Sequence, residues 1–320
     1  MQKIQNFINS FVKKYLSTSR QVTRIILYAV IALLLGIGSF AGYYYFDRYY
    51  SNQTTVQQDQ LAAAEKAVRD DPTNPDKRLT LAETYMVYLR WDDAIKLAFE
   101  VQTTNPDNIN VDFILGISYA NSGRPSEALA PLQKYIESQK GGEMLGLNTR
   151  YQAALYFLGD SYLQLGKPKD AIPPLEQDVD LSQTDADAMY KLGLAYNGVG
   201  EFQKAVEILY KASTFVPDFA EVYQAMIVSY QGLKQPELEK FAQGMLAYSQ
   251  KDYTAALPLL KEAAAARPDF TPAFVGLGQT YEALKDLQNA KASYEAALKL
   301  DPNNFSASNN LQRVEALLKQ

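Results

Sequence analysis

Near neutral pH, nucleophile activation and metal binding lean most on His and Cys, and this 320-residue sequence contains neither. Ser-His and Cys-His constellations are therefore excluded. A zinc site would have to be built from carboxylates alone. The clearest carboxylate doublet, Asp92-Asp93, falls where a helix should begin, a place acids favour because of the helix dipole. Gly159-Asp160-Ser161-Tyr162 puts a serine beside a glycine, but a helix owns that stretch and no His exists to activate it. No Gly-x-x-x-x-Gly-Lys phosphate loop occurs, and no Gly-x-Gly-x-x-Gly fingerprint follows a strand. Asn52-Gln53-Thr54 and Asn304-Phe305-Ser306 fit the glycosylation pattern, which matters only in a eukaryotic secretory setting. The sequence thus names no catalytic residue, no metal ligand and no cofactor, and the expectation is a protein that is not an enzyme.

Charge and hydropathy divide the chain before any motif does. Residues 1–46 carry Lys3, Lys13, Lys14, Arg20 and Arg24 and no acid, a charge of +5. The overall charge is −5, so the remainder carries −10, which argues against nucleic acid as a partner. Ile25 to Phe46 is free of charge and long enough, as a helix, to cross a bilayer. Tyr43, Tyr44 and Tyr45 stand where an interfacial aromatic belt would stand. The positive-inside rule then places the amino terminus in the cytoplasm and everything after Asp47 on the outer side. A removed signal peptide is the rival reading, with Ser39-Phe40-Ala41 as its cleavage site. An uncleaved anchor is favoured, because the apolar run continues five residues past Ala41. Within residues 1–24, Ile4, Phe7, Ile8, Phe11, Val12, Tyr15 and Leu16 share one helical face, with lysines off it. This basic amphipathic segment reads as lying on the lipid bilayer, with a partner's helix as the alternative.

The rest of the chain is periodic. Tyr85, Tyr119, Tyr162, Tyr196, Tyr230 and Tyr281 are separated by 34, 43, 34, 34 and 51 residues. Ala82, Gly116, Gly159, Gly193 and Gly278 stand three residues before five of them. Ala94, Ala128, Ala171, Ala205 and Ala290 stand nine residues after the same five tyrosines. Pro72, Pro106, Pro217, Pro268 and Pro302 close units, since the residue before Pro disfavours helix. This set of landmarks resembles the tetratricopeptide repeat (TPR) family, over about residues 56–320. The resemblance implies an all-α fold: an α-solenoid of helical hairpins, here following the N-terminal transmembrane helix.

The irregular spacings predict the organisation. The 43-residue interval marks a nine-residue insertion around Gly142–Tyr151, a loop that carries Met144, Leu145 and Leu147 and tucks against its own repeat. The 51-residue interval is one and a half repeats, so one second helix is missing near Lys234-Gln235-Pro236. The expected division is an amphipathic segment at 1–24, a span at 25–46, a linker at 47–55, a first array at 56–233 and a second at 234–320. The solenoid would then be broken into two arrays, each ending on a capping helix. The alternative is that Glu237–Gln250 also packs as the missing second helix, with no visible break.

In the TPR family the first helices line a groove, and groove residues choose the partner. One subclass clamps acidic tails with Lys, Asn and Arg; here Lys191 is the only base at the matching positions, so no such clamp is expected. The wall is instead apolar and aromatic: Phe113, Ile117, Tyr156, Leu163, Tyr190 and Leu194, with Asp160 and Asn197 as polar points. This suits an apolar peptide or helix of a protein partner, unless these residues pack on neighbouring helices of the solenoid itself. The resemblance implies partner binding; together with the expected span, the expectation is a membrane-anchored, non-enzymatic scaffold serving secretion, envelope assembly or a chaperone-like role. The alternatives are a self-associating structural TPR protein, or an import-receptor-like one with the opposite topology.

Overall fold

The computed structural model describes residues 5, 6, 10, 52–142 and 145–319. Apart from those first three residues, the expected amphipathic segment and the expected span at 25–46 lie outside the described residues, as does Met144. Among the described residues no helix is long and apolar enough to cross a membrane. The chain divides into two compact units, residues 1–77 and 78–320.

Within the first unit the main element is helix α1, Asn52–Asp70, which begins inside the segment expected as a linker. After it, Asn74 prepares the next helix, α2 (Pro75–Val87), by accepting the backbone N–H bonds of Asp76 and Lys77. Such a cap satisfies donors that the helix cannot satisfy internally.

The second unit holds the rest of α2 and thirteen further helices. In order they are α3 Trp91–Thr104, α4 Ile109–Asn121, α5 Pro125–Gln139, α6 Thr149–Gln164, α7 Pro168–Leu181, α8 Ala186–Gly198 and α9 Phe202–Phe215. Then come α10 Ala220–Gly232, α11 Pro236–Ser249, α12 Tyr253–Ala266, α13 Thr271–Ala283, α14 Leu287–Leu300 and α15 Phe305–Leu317. Each packs mainly on its neighbours in sequence, as stacked hairpins must, and first helices also touch the next first helix. No strand occurs among the described residues.

The hairpin seam rests on a size exchange sixteen residues apart. Gly116, Gly159, Gly193 and Gly244 lie against Leu132, Leu175, Leu209 and Leu260, and Gly278 lies against Tyr294. A Cβ on Gly193 would stand 2.5 Å from Leu209 Cδ2, closer than real atoms approach. Glycine therefore opens the space that a fully buried leucine fills, and burying that leucine contributes about 2 kcal/mol. The first hairpin makes the same seam from Ala82 and Ala98, both fully buried.

Turns between first and second helices also share one form. The N–H groups of Arg90, Arg124, Lys167 and Glu201 donate to the carbonyls of Tyr85, Tyr119, Tyr162 and Tyr196 at 2.8–3.0 Å. Leu89, Gly123, Gly166 and Gly200 supply the positive φ that closes each turn.

Helix α11 is entered and left through this same turn. Gln235 N–H donates to Tyr230 O at 3.0 Å, with Lys234 at φ 56°; Asp252 N–H donates to Ala247 O at 2.9 Å, with Lys251 at φ 65°. By its turn, α11 is the second helix of α10. By Gly244 against Leu260, and by its packing on α13, it is the first helix of α12. The aromatic contacts agree, since Phe219 meets Tyr190 of α8 at 5.2 Å and Phe270 meets Phe241 of α11 at 5.1 Å. One apolar core runs through the junction and includes Met226 and Tyr230 of α10, Phe241 and Met245 of α11 and Leu260 of α12.

The insertion adopts a short 3-10 turn at Leu145–Leu147. Leu145 packs on the core and Leu147 is exposed. Gln152 Nε2 ties the turn to α6 by donating to Gly146 O at 3.0 Å.

Candidate functional site

The eight residues expected to line a groove occupy different depths. Phe113 and Ile117 of α4 are buried in the core, with Phe113 packed 5.1 Å from the Tyr135 ring and under the Arg150 guanidinium. Leu163, Tyr190 and Leu194 are half-buried against the main core. The polar points are occupied from within the chain. Asp160 pairs with Lys191 at 2.5 Å, which also engages the one base at a clamp position. Asn197 donates to Ala225 O at 2.9 Å and accepts from Ser229 Oγ at 2.7 Å, so it ties α8 to α10. Arg150 pairs with Glu83 at 2.9 Å and donates to Asn110 at 3.2 Å, linking α6 with α2 and α4. The doublet Asp92-Asp93 sits in the first turn of α3, and each carboxylate pairs at 2.6 Å, with Arg124 and Arg90. None of these arrangements leaves a nucleophile beside a base.

Among the described residues, two recesses on the stack bear on binding. The larger, of about 600 Å³, lies between the end of α9 and the first helices α11, α13 and α15. Its lining includes Tyr210, Phe215, Met245, Val275, Asn304 and Phe305. Phe305 is 79% exposed and Phe215 44%, so both present apolar surface at this recess. Its lining sets the end of α9, a second helix of the earlier hairpins, beside the first helices of the later ones. No single-repeat motif announces it.

The smaller recess, of about 390 Å³, is lined by Tyr156, Gln152 and Thr149 of α6, by Asp178 of α7, and by Asp185 and Asp187 at the start of α8. Asp185 also caps α8, accepting from Ala188 N–H at 3.0 Å. Asp178 is 1% exposed, and neither of its carboxylate oxygens has a hydrogen-bond partner. Burial, with the Asp185 charge, pushes its carboxyl up to about 7. The Tyr156 hydroxyl is likewise pushed up, first by burial and then by the charges of Asp160, Asp187, Asp185 and Asp178. The expected groove contained Tyr156 but not Asp178. Register would have found it. Seven residues after the five landmark alanines, and after Ala256 of α12, stand Val101, Tyr135, Asp178, Ala212, Ala297 and Ala263, all buried, and only one is charged.

Two family models, both described as tetratricopeptide repeat, match residues 156–218 and 247–314. RNA polymerase II-associated protein 3 of Xenopus tropicalis is 39% identical over 127 residues, 40% of this chain and 17% of that protein. The peroxisomal targeting signal receptor of Komagataella phaffii is 25% identical over 190 residues, 55% of this chain and 30% of the receptor. The chain therefore spans less than a third of either relative. Among solved structures, YrrB, a TPR protein with an unusual peptide-binding site, aligns at TM-score 0.48 and 19% identity over 66% of this chain and 95% of its own. MamA aligns at TM-score 0.43 and 26% identity over 60% of this chain and 94% of its own. The matched repeats, set beside the stacked hairpins, support a protein of the tetratricopeptide repeat family.

Proposed function

We propose that this chain is a non-enzymatic scaffold that recruits protein partners at a membrane, with its repeats as the binding part. The observation that carries the reading is the 600 Å³ recess, whose lining joins exposed Phe215 and Phe305 to Met245, Val275 and the Asn304 amide. Its volume and mixed apolar and amide lining suit a few side chains of a docked apolar peptide or helix. The membrane part of the proposal rests on the sequence: an uncharged run over 25–46 behind five positive charges. A role in secretion, envelope assembly or chaperoning fits that placement, with the repeats on the outer side.

Crosslinking capture from native membranes tests the reading. Intact chain should retain a defined partner set, and Phe215→Ser with Phe305→Ser should reduce it, because both side chains are exposed and the fold should survive. Unchanged capture by the double variant would sink the recess as the docking place. An import-receptor-like protein with repeats facing the cytosol is the second reading, drawn from the partial likeness to the peroxisomal receptor. Protease digestion of sealed membranes separates the two, since repeats on the outer side are cut only from that side.

A further inference from the structure

Asp178 takes a position where every other aligned second helix buries an apolar side chain. An ionised carboxylate without a partner is among the costlier groups to bury. No ion pair or hydrogen bond from a described residue reaches its carboxylate. Both of its carboxylate oxygens are buried, yet the residue borders the 390 Å³ recess together with Asp185 and Asp187. Of the basic side chains on α6 and α8, Lys191 is held by Asp160 and Arg150 by Glu83. The recess therefore presents three carboxylates of one sign and no neutralising base of its own among the described residues.

The shape of the lining narrows what could complete it. The carboxylates do not gather as metal ligands, for no group of acids among the described residues is arranged to hold a metal ion. They stand instead around a wall made by Tyr156, Phe157 and Ala153. That wall suits a flexible aliphatic stem, and the aromatic rings also attract a cation at its end. A guanidinium or ammonium would supply the donors that Asp178 lacks.

We propose that this recess receives the cationic end of an arginine or lysine side chain from a docked protein partner, with Asp178 as its buried counter-ion. The inference rests on the scaffold reading and adds the chemistry of one contact. Asp185 and Asp187 draw the cation in at the rim, and Tyr156 lies along its stem. In the other repeats Val, Tyr or Ala takes the Asp178 position, and each of these side chains is buried.

The test uses purified full-length chain and ligand-observed NMR. N-acetyl-arginine amide or N-acetyl-lysine amide should bind, and the uncharged N-acetyl-citrulline amide should not. Asp178→Asn should keep the helical circular dichroism and weaken binding about tenfold or more, as expected when a charge-assisted bond is lost. Equal binding by citrulline, or undiminished binding by Asp178→Asn, overturns the proposal. Binding of spermidine but of neither amino-acid amide also overturns it, since the source would then be a free polyamine. Crosslinking capture with wild type and Asp178→Asn keeps the two readings apart. Partners captured equally by both, with no amide binding, would remove the inference and leave the scaffold standing. Amide binding with no captured partner would remove the scaffold, and with it the partner origin of the cation.

Discussion

The hairpins α2 to α9 and the junction α10–α12 use the same local parts with different outcomes. In the regular hairpins a first helix carries Gly or Ala, and the second helix returns a residue sixteen places later to fill it. In α10 the matching place holds Ile227, a half-buried side chain packed on the core, and sixteen places later comes Gln243. The turn after α10 is nevertheless an ordinary within-hairpin turn. Turn geometry and seam packing are therefore separable. A helix enters a hairpin by its turn and becomes a first helix by its glycine. Helix α11 does both, and half a repeat is lost without opening the core.

Changing a seam glycine should have the largest effect. Gly193→Val should cost about 3 kcal/mol in chemical denaturation, because the new atoms land on Leu209. Gly244→Val should cost about as much, if α11 truly serves α12. A double-mutant cycle sharpens this. Gly193→Ala with Leu209→Ala should couple by about 1 kcal/mol or more, while Ile227→Ala with Gln243→Ala should stay within about 0.5 kcal/mol of additive. Equal coupling in both pairs would erase the distinction between the two regions.

Next in size is Asp178, set against its counterpart Ala263 on the far side of the junction. Its carboxyl, at about 7 in the fold, stands near 3.9 in the unfolded chain. Between these values the folded chain holds a proton that the unfolded chain lacks. Stability should therefore fall as pH rises from about 4 to about 7, and stay lower above that. The titratable groups facing Asp178 are Asp185 and Asp187 from α8 and Tyr156 from α6. Asp178→Asn should gain about 2 kcal/mol at pH 8 and little near pH 4, measured by urea denaturation at both. Ala263→Ser, uncharged and across the junction, should show no such pH dependence. A variant more stable at pH 8 yet deaf to arginine amide would mark Asp178 as kept for binding rather than for folding.

The smallest effects lie in the turns. Lys234→Gly and Lys251→Gly should each stabilise by about 0.5 kcal/mol, since both residues hold a positive φ. Gly200→Lys should cost about as much. Similar gains at Lys234 and Lys251 would show that α11 is bounded by equivalent turns; a gain at one alone would break that equivalence.

Much of this architecture was legible in the chain. The tyrosines from Tyr85 through Tyr281 mark successive first helices, and the 51-residue interval falls where α11 takes both helix roles. The groove was less legible. Phe113 looked like a wall residue, but its ring is covered by Tyr135 and Arg150, which come from other helices. A single carboxylate late in a helix, such as Asp178, carries no mark of burial in its own repeat. Only alignment with Val101, Tyr135 and Ala212 shows that its position is interior.

By itself the sequence determined the hairpin period, the glycines of the seam, the absence of His and Cys, and the split of charge between a basic head and an acidic remainder. These are local properties, set by helix geometry and by what one side chain can do. Tertiary structure decided which half-buried residues face a recess, which ion pairs occupy the polar points, and that α11 belongs to two hairpins at once. Those outcomes depend on what a neighbouring helix brings to the same place, and that neighbour is fixed by packing across the stack rather than by any one repeat.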